Sequence, residues 1–364
     1  MSAFLPGREL SRRFFVEAVR PLLDKNFPDL LYAAAHLGKG SDVPGFDTPM
    51  SMDHSWGPTV HIFLRKEDVH LAEPIRGLLR DHLPHTIAGY PVNFAESTIE
   101  PGTFGMELTS DGPVNHHVIL TTLRSFFWMQ LAYDIDSPPT VAEWLTFPSQ
   151  ALLEVTAGAV HYDGVGELTE LRRWLAWYPH DVWLYLLASG WQRVGQEEHL
   201  MPRAGFVGDE LGSAIIGSRL IHDIMSLCFL MEKRYAPYPK WFGTAFKHLT
   251  CAERYSRVLW QVQQAATWQE REAVLCQAYQ QLARMHNALG ITEVLPETVA
   301  PFFNRPFQVI NGGQFAQALV AQITDPEVKQ IGSQRLIGNI DQFSDNTDFR
   351  AGGDRQLVLR QLYS

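Results

Sequence analysis

Two short polar segments in the N-terminal third of the chain have the residue types for phosphate chemistry. The first is a glycine-rich turn at residues 38–41, which ends in Gly40 and Ser41 and follows an apolar run. Because glycine has no side chain, the backbone N–H groups of such a turn can approach phosphate oxygens closely. The second segment carries Asp53 and Ser55, which would share one face of a strand because strand side chains repeat every two residues. The Asp53 carboxylate is therefore a candidate ligand for a Mg²⁺ ion that is bound to a triphosphate.

The C-terminal half carries charged side chains that could complete such a site. Glu210 begins a long apolar helix in which Arg219 and Asp223 are four residues apart. Charges facing a core are rarely kept without partners, so a pair between helices is a stronger interpretation than a ligand contact. If this helix lines a cleft, Arg219 could meet phosphate, and Asp223 or Glu210 could act as general base for an acceptor hydroxyl. Lys240, in a basic and aromatic turn, could reach a triphosphate.

The chain resembles an uncharacterised bacterial family with a polymerase-β-like nucleotidyltransferase fold. The resemblance runs almost end to end and is carried by several motifs: Gly38-Lys-Gly-Ser-Asp42, Gly45-Phe-Asp-Thr48, Ser51-Met-Asp-His54, Trp56-Gly-Pro58, the run 152–160, Asp181-Val-Trp-Leu-Tyr-Leu-Leu187, Gly208-Asp-Glu-Leu-Gly-Ser213 and the run 234–246. By analogy with the wider superfamily, Gly40 and Ser41 resemble its Gly-Ser turn, and Asp53 resembles its first metal carboxylate. The resemblance implies a nucleoside triphosphate, with ATP as the first candidate, and Mg²⁺ as cofactors.

One departure from the superfamily pattern bears on catalysis. That pattern has Asp or Glu two residues after the first Asp, whereas this sequence has Ser55, a neutral and weaker Mg²⁺ ligand. A third carboxylate on a later strand is not evident, and Asn93 and Glu96 are the nearest candidates. The first hypothesis is therefore transfer of a nucleotidyl group to a small-molecule or protein acceptor. The alternatives are a nucleotide-binding or regulatory protein with weakened or lost catalysis, and a scaffold whose helical half binds another protein.

Other constellations have simpler explanations. His36, His54 and His61 could form a transition-metal site with Asp53, but in a chain with 14 histidines this spacing arises readily by chance. The aromatic residues of the turn 234–241 could stack on a base, although a rigid corner of packed rings is the better interpretation. The polar tail around Asp341 favours a solvated loop, which could also act as a lid.

Hydrophobic periodicity predicts the elements that must position these residues. A helix is expected over 12–25, strands over 30–37, 59–64, 90–94 and 118–122, and a helix over 67–82. From Ser149 onward strand signals nearly vanish, and helices are expected over 149–159, 168–178, 181–196, 209–234, 241–246, 252–265 and 268–289. The sequence therefore predicts an α+β protein. A nucleotidyltransferase-like mixed sheet with flanking helices occupies residues 1–142, and an α-helical bundle with a loop-rich C-terminal tail occupies residues 143–364.

Composition limits the partners. The chain has 364 residues and a formal net charge of −10, so its surface repels nucleic acid and anionic lipid. The least polar stretch, 215–231, is interrupted by charged residues, and no signal peptide is visible, so no membrane span and a cytoplasmic location are expected. The 3 cysteines are odd in number and lie in apolar helical stretches, which indicates reduced thiols. The sequence does not predict the oligomeric state.

Overall fold

The computed structural model describes residues 4–98, 101–350 and 353–363. The chain forms two compact units. Unit 1 comprises Met1–Pro138, Ala151–Ala176 and Gly352–Asp354, and unit 2 comprises Pro139–Gln150, Trp177–Ala351 and Arg355–Ser364. The domain boundary expected after residue 142 stays a prediction, but the segment 151–176 folds with the N-terminal unit.

The first half of the chain alternates short strands and helices. In chain order the elements are α1 (Gly7–Arg13), a π-helical turn (Phe14–Val19), α2 (Arg20–Asn26), β1 (Tyr32–His36), a 3-10 helix (Pro49–Asp53), β2 (Thr59–Leu64), a 3-10 helix (Lys66–Leu71), α3 (Ala72–His82), β3 (Thr86–Ile87), β4 (Tyr90–Pro91), β5 (Phe94–Glu96), β6 (Phe104–Met106), β7 (His117–Thr121), α4 (Leu123–Leu131), α5 (Val141–Thr146), α6 (Ser149–Thr156), β8 (Ala159–Asp163) and α7 (Glu167–Trp174).

Helices dominate the second half. They are α8 (His180–Glu197), α9 (Leu200–Phe206), α10 (Glu210–Met231), α11 (Pro239–Phe246), α12 (Ala252–Gln264) and α13 (Trp268–Ala288), followed by β9 (Ala300–Pro301), β10 (Gln308–Val309), α14 (Gly312–Val320), α15 (Pro326–Gly332), α16 (Ile340–Phe343), α17 (Thr347–Arg350), α18 (Gly353–Leu359) and a 3-10 helix (Arg360–Tyr363). The predicted α+β class, with a mixed sheet and a helical bundle, is confirmed.

A mixed four-stranded sheet organises unit 1. Its strand order is β7-β2-β1-β8, with β1 antiparallel to β2 and β8, and β2 parallel to β7. Every residue of β1 is buried, and three of them are alanines, so helices can pack closely over this central strand. The helix that runs from α1 through the π-turn to α2 presents Leu10, Phe14 and Phe15 to one core cluster with Ile62.

One prediction about this sheet was wrong. The helix expected over 149–159 ends at Thr156, and β8 follows and pairs with β1, with Ala34 opposite Tyr162. The chain reverses at Gly158, whose φ is +65° and whose position would put a side-chain carbon 2.0 Å from the carbonyl oxygen of His36. Only glycine allows this approach, so the chain reversal after α6 depends on the single residue Gly158.

Unit 2 is a helical bundle centred on α8, α10 and α13. Gly195 on α8 lies against Gly312 at the start of α14, where a side chain would meet the facing backbone at 2.7 Å, so these helices pack closely. Within the described residues, α10 alone is long and apolar enough to cross a membrane by length and composition. Half of its most apolar window is buried inside the protein, as in the core helix of a folded bundle. The cytoplasmic location stays a prediction.

Candidate functional site

The glycine turn of unit 1 follows the carboxyl end of β1, as the sequence predicted. Gly38 is buried with φ +89°, whereas Lys39 and Gly40 are exposed and Gly40 has φ +133°. Both φ values lie where side-chain-bearing residues are strained. The turn therefore leaves a buried strand and immediately reaches the surface at Lys39, Gly40 and the half-buried Ser41.

A buried ion pair fixes the base of this turn. His36 Nε2, at the end of β1, lies 2.8 Å from Asp42 Oδ2, and both side chains are about nine-tenths buried. The residues just before and just after the turn, His36 and Asp42, are therefore paired with each other inside the core. Because a buried group without its partner is costly, this pair strongly restricts the conformations open to residues 38–41.

Hydrogen bonds from two other segments, α1 and the residues around α6, also hold the turn in place. The Gly38 N–H donates to Glu154 O of α6 at 2.9 Å, and the Gly158 N–H donates to Val43 O at 2.9 Å. From the other side, Arg8 Nε of α1 donates to Val43 O at 2.8 Å. The segment around α6, which the sequence assigned to the helical domain, therefore buttresses the predicted phosphate site.

The tip of the turn keeps its own donors free. In the part of the chain that the structure describes, the backbone N–H groups of Lys39, Gly40 and Ser41 have no hydrogen-bond acceptor, and the Lys39 ammonium group has no ion-pair partner. Successive N–H groups in a turn that includes a positive φ value form a concave anion-binding surface. A lysine at the same exposed position adds a positive charge.

The structure contradicts the strand geometry expected for Asp53 and Ser55. Asp53 ends the 3-10 helix Pro49–Asp53, and Ser55 has φ +51°, so the two side chains do not alternate on one strand. Pro49 at the first turn and the capping box of Thr48 with Ser51 favour a helical turn here. The Asp53 carboxylate is exposed and pairs with His54 Nδ1 at 3.0 Å.

Asp53 belongs to no metal-binding cluster of three or more ligands in the part of the chain that the structure describes. Among the described residues, no group of three or more His, Cys, Asp and Glu side chains could hold a metal ion. Asn93 accepts from the Asn115 N–H, and Glu96 accepts from the Gly102 N–H, so both weaker candidates stabilise the β5–β6 hairpin. Mg²⁺ is commonly held by one or two carboxylates plus substrate phosphates, so Asp53 alone fits an ion that arrives with the nucleotide.

The transition-metal alternative is wrong, because its histidines have separate environments. His36 pairs with Asp42, and His54 pairs with Asp53 at the surface. His61 packs against Phe63 and Phe126 at ring-centroid distances of 5.7 and 5.3 Å. Burial, together with a smaller effect of the nearby His36, lowers the pKa of His61 to about 3, so its imidazole is neutral at physiological pH.

In unit 2, both charged residues in the middle of α10 pair with α8, as the inter-helix interpretation predicted. The Arg219 guanidinium binds the Glu197 carboxylate, and Arg193 Nε donates to Asp223 Oδ1 at 3.1 Å. Burial raises the pKa of Glu197, an effect that the charge of Arg219 opposes. The guanidinium that the sequence offered to phosphate is therefore engaged within the bundle.

The two candidate general bases, Glu210 and Asp223, differ in whether a carboxylate oxygen lacks a hydrogen-bond partner. Glu210 caps the neighbouring helix: its carboxylate accepts from the Trp268 N–H at 3.1 Å and from Arg271 Nη1 at 3.3 Å. Asp223 is buried, and its Oδ2 atom has no hydrogen-bond partner among the described residues. Of the two, Asp223 keeps an oxygen atom that could accept a proton.

The basic and aromatic turn between α10 and α11 is a packed corner. Tyr235 is buried and its ring lies 4.9 Å from Trp177 and 5.2 Å from Tyr178. Lys240 is exposed and its Nζ lies 5.2 Å from the Trp241 ring. The expectation of a solvated loop at Asp341 was wrong: its Oδ2 accepts from the Ser149 N–H at 2.7 Å, and burial raises its pKa.

Residues 144–242 match the model of a family described as "Domain of unknown function (DUF4037)". The matched segment runs from α5 through the start of α11, and it agrees with the resemblance to an uncharacterised family. No curated protein matches.

One solved structure is similar over most of its length. It is a nucleotidyltransferase-like protein from Exiguobacterium sibiricum, with 11% sequence identity, covering 95% of this chain and 91% of that chain at a TM-score of 0.33.

Sequence reasoning missed two parts of the unit 1 site. It placed His36 with possible metal ligands, and it did not assign Asp42 a partner. The six-residue spacing across a glycine turn was the available signal, since such a turn returns the chain towards the strand end. No local signal indicated that the backbone at Glu154 and Gly158 would reach the turn, because that contact depends on the pairing of β1 with β8.

Proposed function

We propose that this protein is a nucleotidyltransferase-like, nucleotide-binding protein whose glycine turn in unit 1 holds the phosphates of a nucleoside triphosphate. The observation that carries the proposal is the exposed run of free N–H groups at Lys39, Gly40 and Ser41. Phosphate oxygens are acceptors without donors, so they match this set, and the Lys39 charge favours an anion. ATP is the first candidate, and Asp53 would hold its Mg²⁺ ion.

Isothermal titration with ATP, GTP, CTP and UTP, each with and without Mg²⁺, tests the proposal. We expect Lys39→Gln to weaken binding about tenfold, because one charge-assisted contact contributes about 1.5–3 kcal/mol. Gly40→Ala should weaken it further, since a side chain at φ +133° would lie 2.3 Å from Asp42 Oδ1. Lys66→Gln, an exposed lysine of the same unit, is the matched control and should bind normally. Equal affinity in all three variants would refute the phosphate site.

Nucleotidyl transfer to a small-molecule or protein acceptor is a second candidate function. The observation that favours it is the Asp53 carboxylate in the segment that leads to β2, which pairs with the adjacent His54 and is exposed to solvent, where a nucleotide-borne ion could reach it. With a single carboxylate, charge neutralisation of the departing pyrophosphate is weak, so slow turnover is expected. Asp53→Asn should abolish Mg²⁺-dependent pyrophosphate release and leave the fold intact. Tight binding without any release would instead support a regulatory nucleotide-binding role.

A further inference from the structure

We propose that unit 2 contains a second binding site, for a small uncharged molecule that presents a hydroxyl group. The site is a cavity of about 60 Å³ enclosed by α8, α10 and the segment around α16. Its polar lining includes Arg193, Asp223, Asn339 and Asp341, together with the exposed His222, whose Nδ1 lies 3.7 Å from Asp223 Oδ1. This inference concerns unit 2 alone and does not depend on the nucleotide proposal.

Two buried carboxylate oxygens of cavity-lining residues have no hydrogen-bond partner among the described residues: Asp223 Oδ2, and Asp341 Oδ1, which lies 3.4 Å from Arg350 Nε. The Asp223 side chain is about 94% buried, with a relative exposure of 6%, and its Oδ1 atom accepts from Arg193 Nε. Its Oδ2 atom has no partner in the described chain. Leaving such an oxygen unpaired costs several times as much as one ordinary hydrogen bond contributes, so a donor is required next to it.

The charges around the cavity decide what kind of donor fits. Asp223 is already neutralised by Arg193, and the exposed Arg234 adds a positive charge beside the opening, so a further cation gains little there. The second acid, Asp341, accepts from the Ser149 N–H and lies 3.4 Å from Arg350 Nε. An anion would face both carboxylates. A neutral hydroxyl group can donate to Asp223 Oδ2 without the repulsion that a cation meets from Arg234 or that an anion meets from the two carboxylates.

The remaining walls fit a short hydrocarbon body. Leu186, Leu227, Phe229 and Leu230 line the cavity, and Gly190 lets Leu227 pack against α8, where a side chain would meet it at 2.7 Å. Such walls gain free energy by covering apolar surface, at roughly 25 cal/mol per Å². A polar head anchored at one carboxylate within apolar walls is the usual composition of a small-molecule pocket.

A matched series of four-carbon probes tests the assignment on the full-length protein. The probes are 1-butanol, butyronitrile, which cannot donate a hydrogen bond, n-butylamine and butyrate. The readout is the Arg193 Nε–H resonance in a nitrogen–proton correlation spectrum, identified by its loss in Arg193→Lys. We expect saturable shifts with 1-butanol at an affinity about tenfold or more above the other three probes. Butyronitrile binding as tightly, tighter binding of butylamine or butyrate, or no shift with 1-butanol at its highest soluble concentration would each overturn the proposal.

Two variants locate the binding in the cavity. Asp223→Asn keeps the acceptor for Arg193 and turns the other end into a donor, so 1-butanol affinity should fall about tenfold. Ser226→Leu fills the cavity from α10 and leaves Asp223 in place, so it should abolish the shift even if Asp223→Asn fails to fold. Asp345→Asn, an exposed acid with the same change in charge, is the control. Unchanged affinity in Ser226→Leu would overturn the site.

Discussion

The two units differ in the side chains whose pKa values burial shifts between pH 3 and 7: histidines in unit 1, but both a histidine and an acid in unit 2. Unit 1 places His61 and His161 on neighbours of its central strand, and burial lowers the pKa of the first to about 3 and of the second to about 4. Unit 2 buries acids on α8 and α10, where Glu198 has a pKa raised to about 7 and Asp223 pairs with an arginine. The polar groups of unit 1 hold a surface turn in place, whereas unit 2 leaves a carboxylate oxygen facing a cavity.

This difference predicts the largest effect, an acid sensitivity confined to unit 1. A histidine whose pKa is lower in the folded state binds more protons when unfolded, so its contribution to stability falls as pH drops from about 6.5 towards 4. From pH 7 to 5, His61 and His161 together should remove about 4 kcal/mol from the free energy of unfolding of unit 1.

In unit 2 the opposing shifts nearly cancel. As pH falls from 7 to 5, the lowered pKa of His286, about 4, reduces the free energy of unfolding of unit 2. The raised pKa of Glu198, about 7, increases that free energy over the same range, because the folded state binds the proton more tightly than the unfolded state. Peptide-resolved hydrogen exchange, corrected for intrinsic rates, separates the units. His61→Leu should reduce the acid sensitivity of unit 1 by about half, and the exposed His82→Leu should leave it unchanged. Equal acid sensitivity of both units would refute the comparison.

The second prediction compares one buried acid from each unit. Asp42→Ala leaves the Nε2 atom of His36 in the core without its partner, so unit 1 should lose about 3 kcal/mol. Asp223→Ala should remove about 1.5 kcal/mol from unit 2, because Arg193 is 31% exposed and can regain water. Hydrogen exchange of each unit at pH 7 measures both. A larger loss in Asp223→Ala would show that unit 2 holds the more rigid pair.

Local sequence signals were sufficient for most elements but not for this buried chemistry. The alternating run Thr59–Leu64 became β2 with the predicted bounds, and the long periodic helices from Asp181 onward were also observed. The predictions failed where tertiary pairing decides: β8 is short and follows a helical pattern, so only its partner β1 identifies it. Asp53 was expected on a strand, but Pro49 favours a helical turn, so Asp53 ends a 3-10 helix instead. The free oxygen of Asp223 depends on packing between helices, which no spacing reveals.

A third prediction concerns the close approach that joins β8 to β1. Gly158→Ala combines φ +65° with a contact of 2.0 Å to the His36 carbonyl oxygen, so unit 1 should lose about 2 kcal/mol or more. Gly166→Ala has φ +83° and open space around it, so it isolates the backbone penalty at about 1 kcal/mol. Urea unfolding of unit 1 measures the difference. If the two variants are equally stable, the contact at Gly158 does not constrain the turn.

The smallest expected effect tests whether Arg219 serves the bundle or a ligand. Arg219→Gln leaves the carboxylate of Glu197, which is about 90% buried, without its partner, but Arg219 itself is 56% exposed, so the loss should be about 1 kcal/mol. Burial raises the pKa of Glu197, and removing Arg219 raises it further, so the loss should be largest at alkaline pH and should shrink as the pH falls and the acid takes up a proton. In a Glu197→Gln background the same change should have no effect. A loss that persists at low pH or in that background would assign Arg219 to another partner.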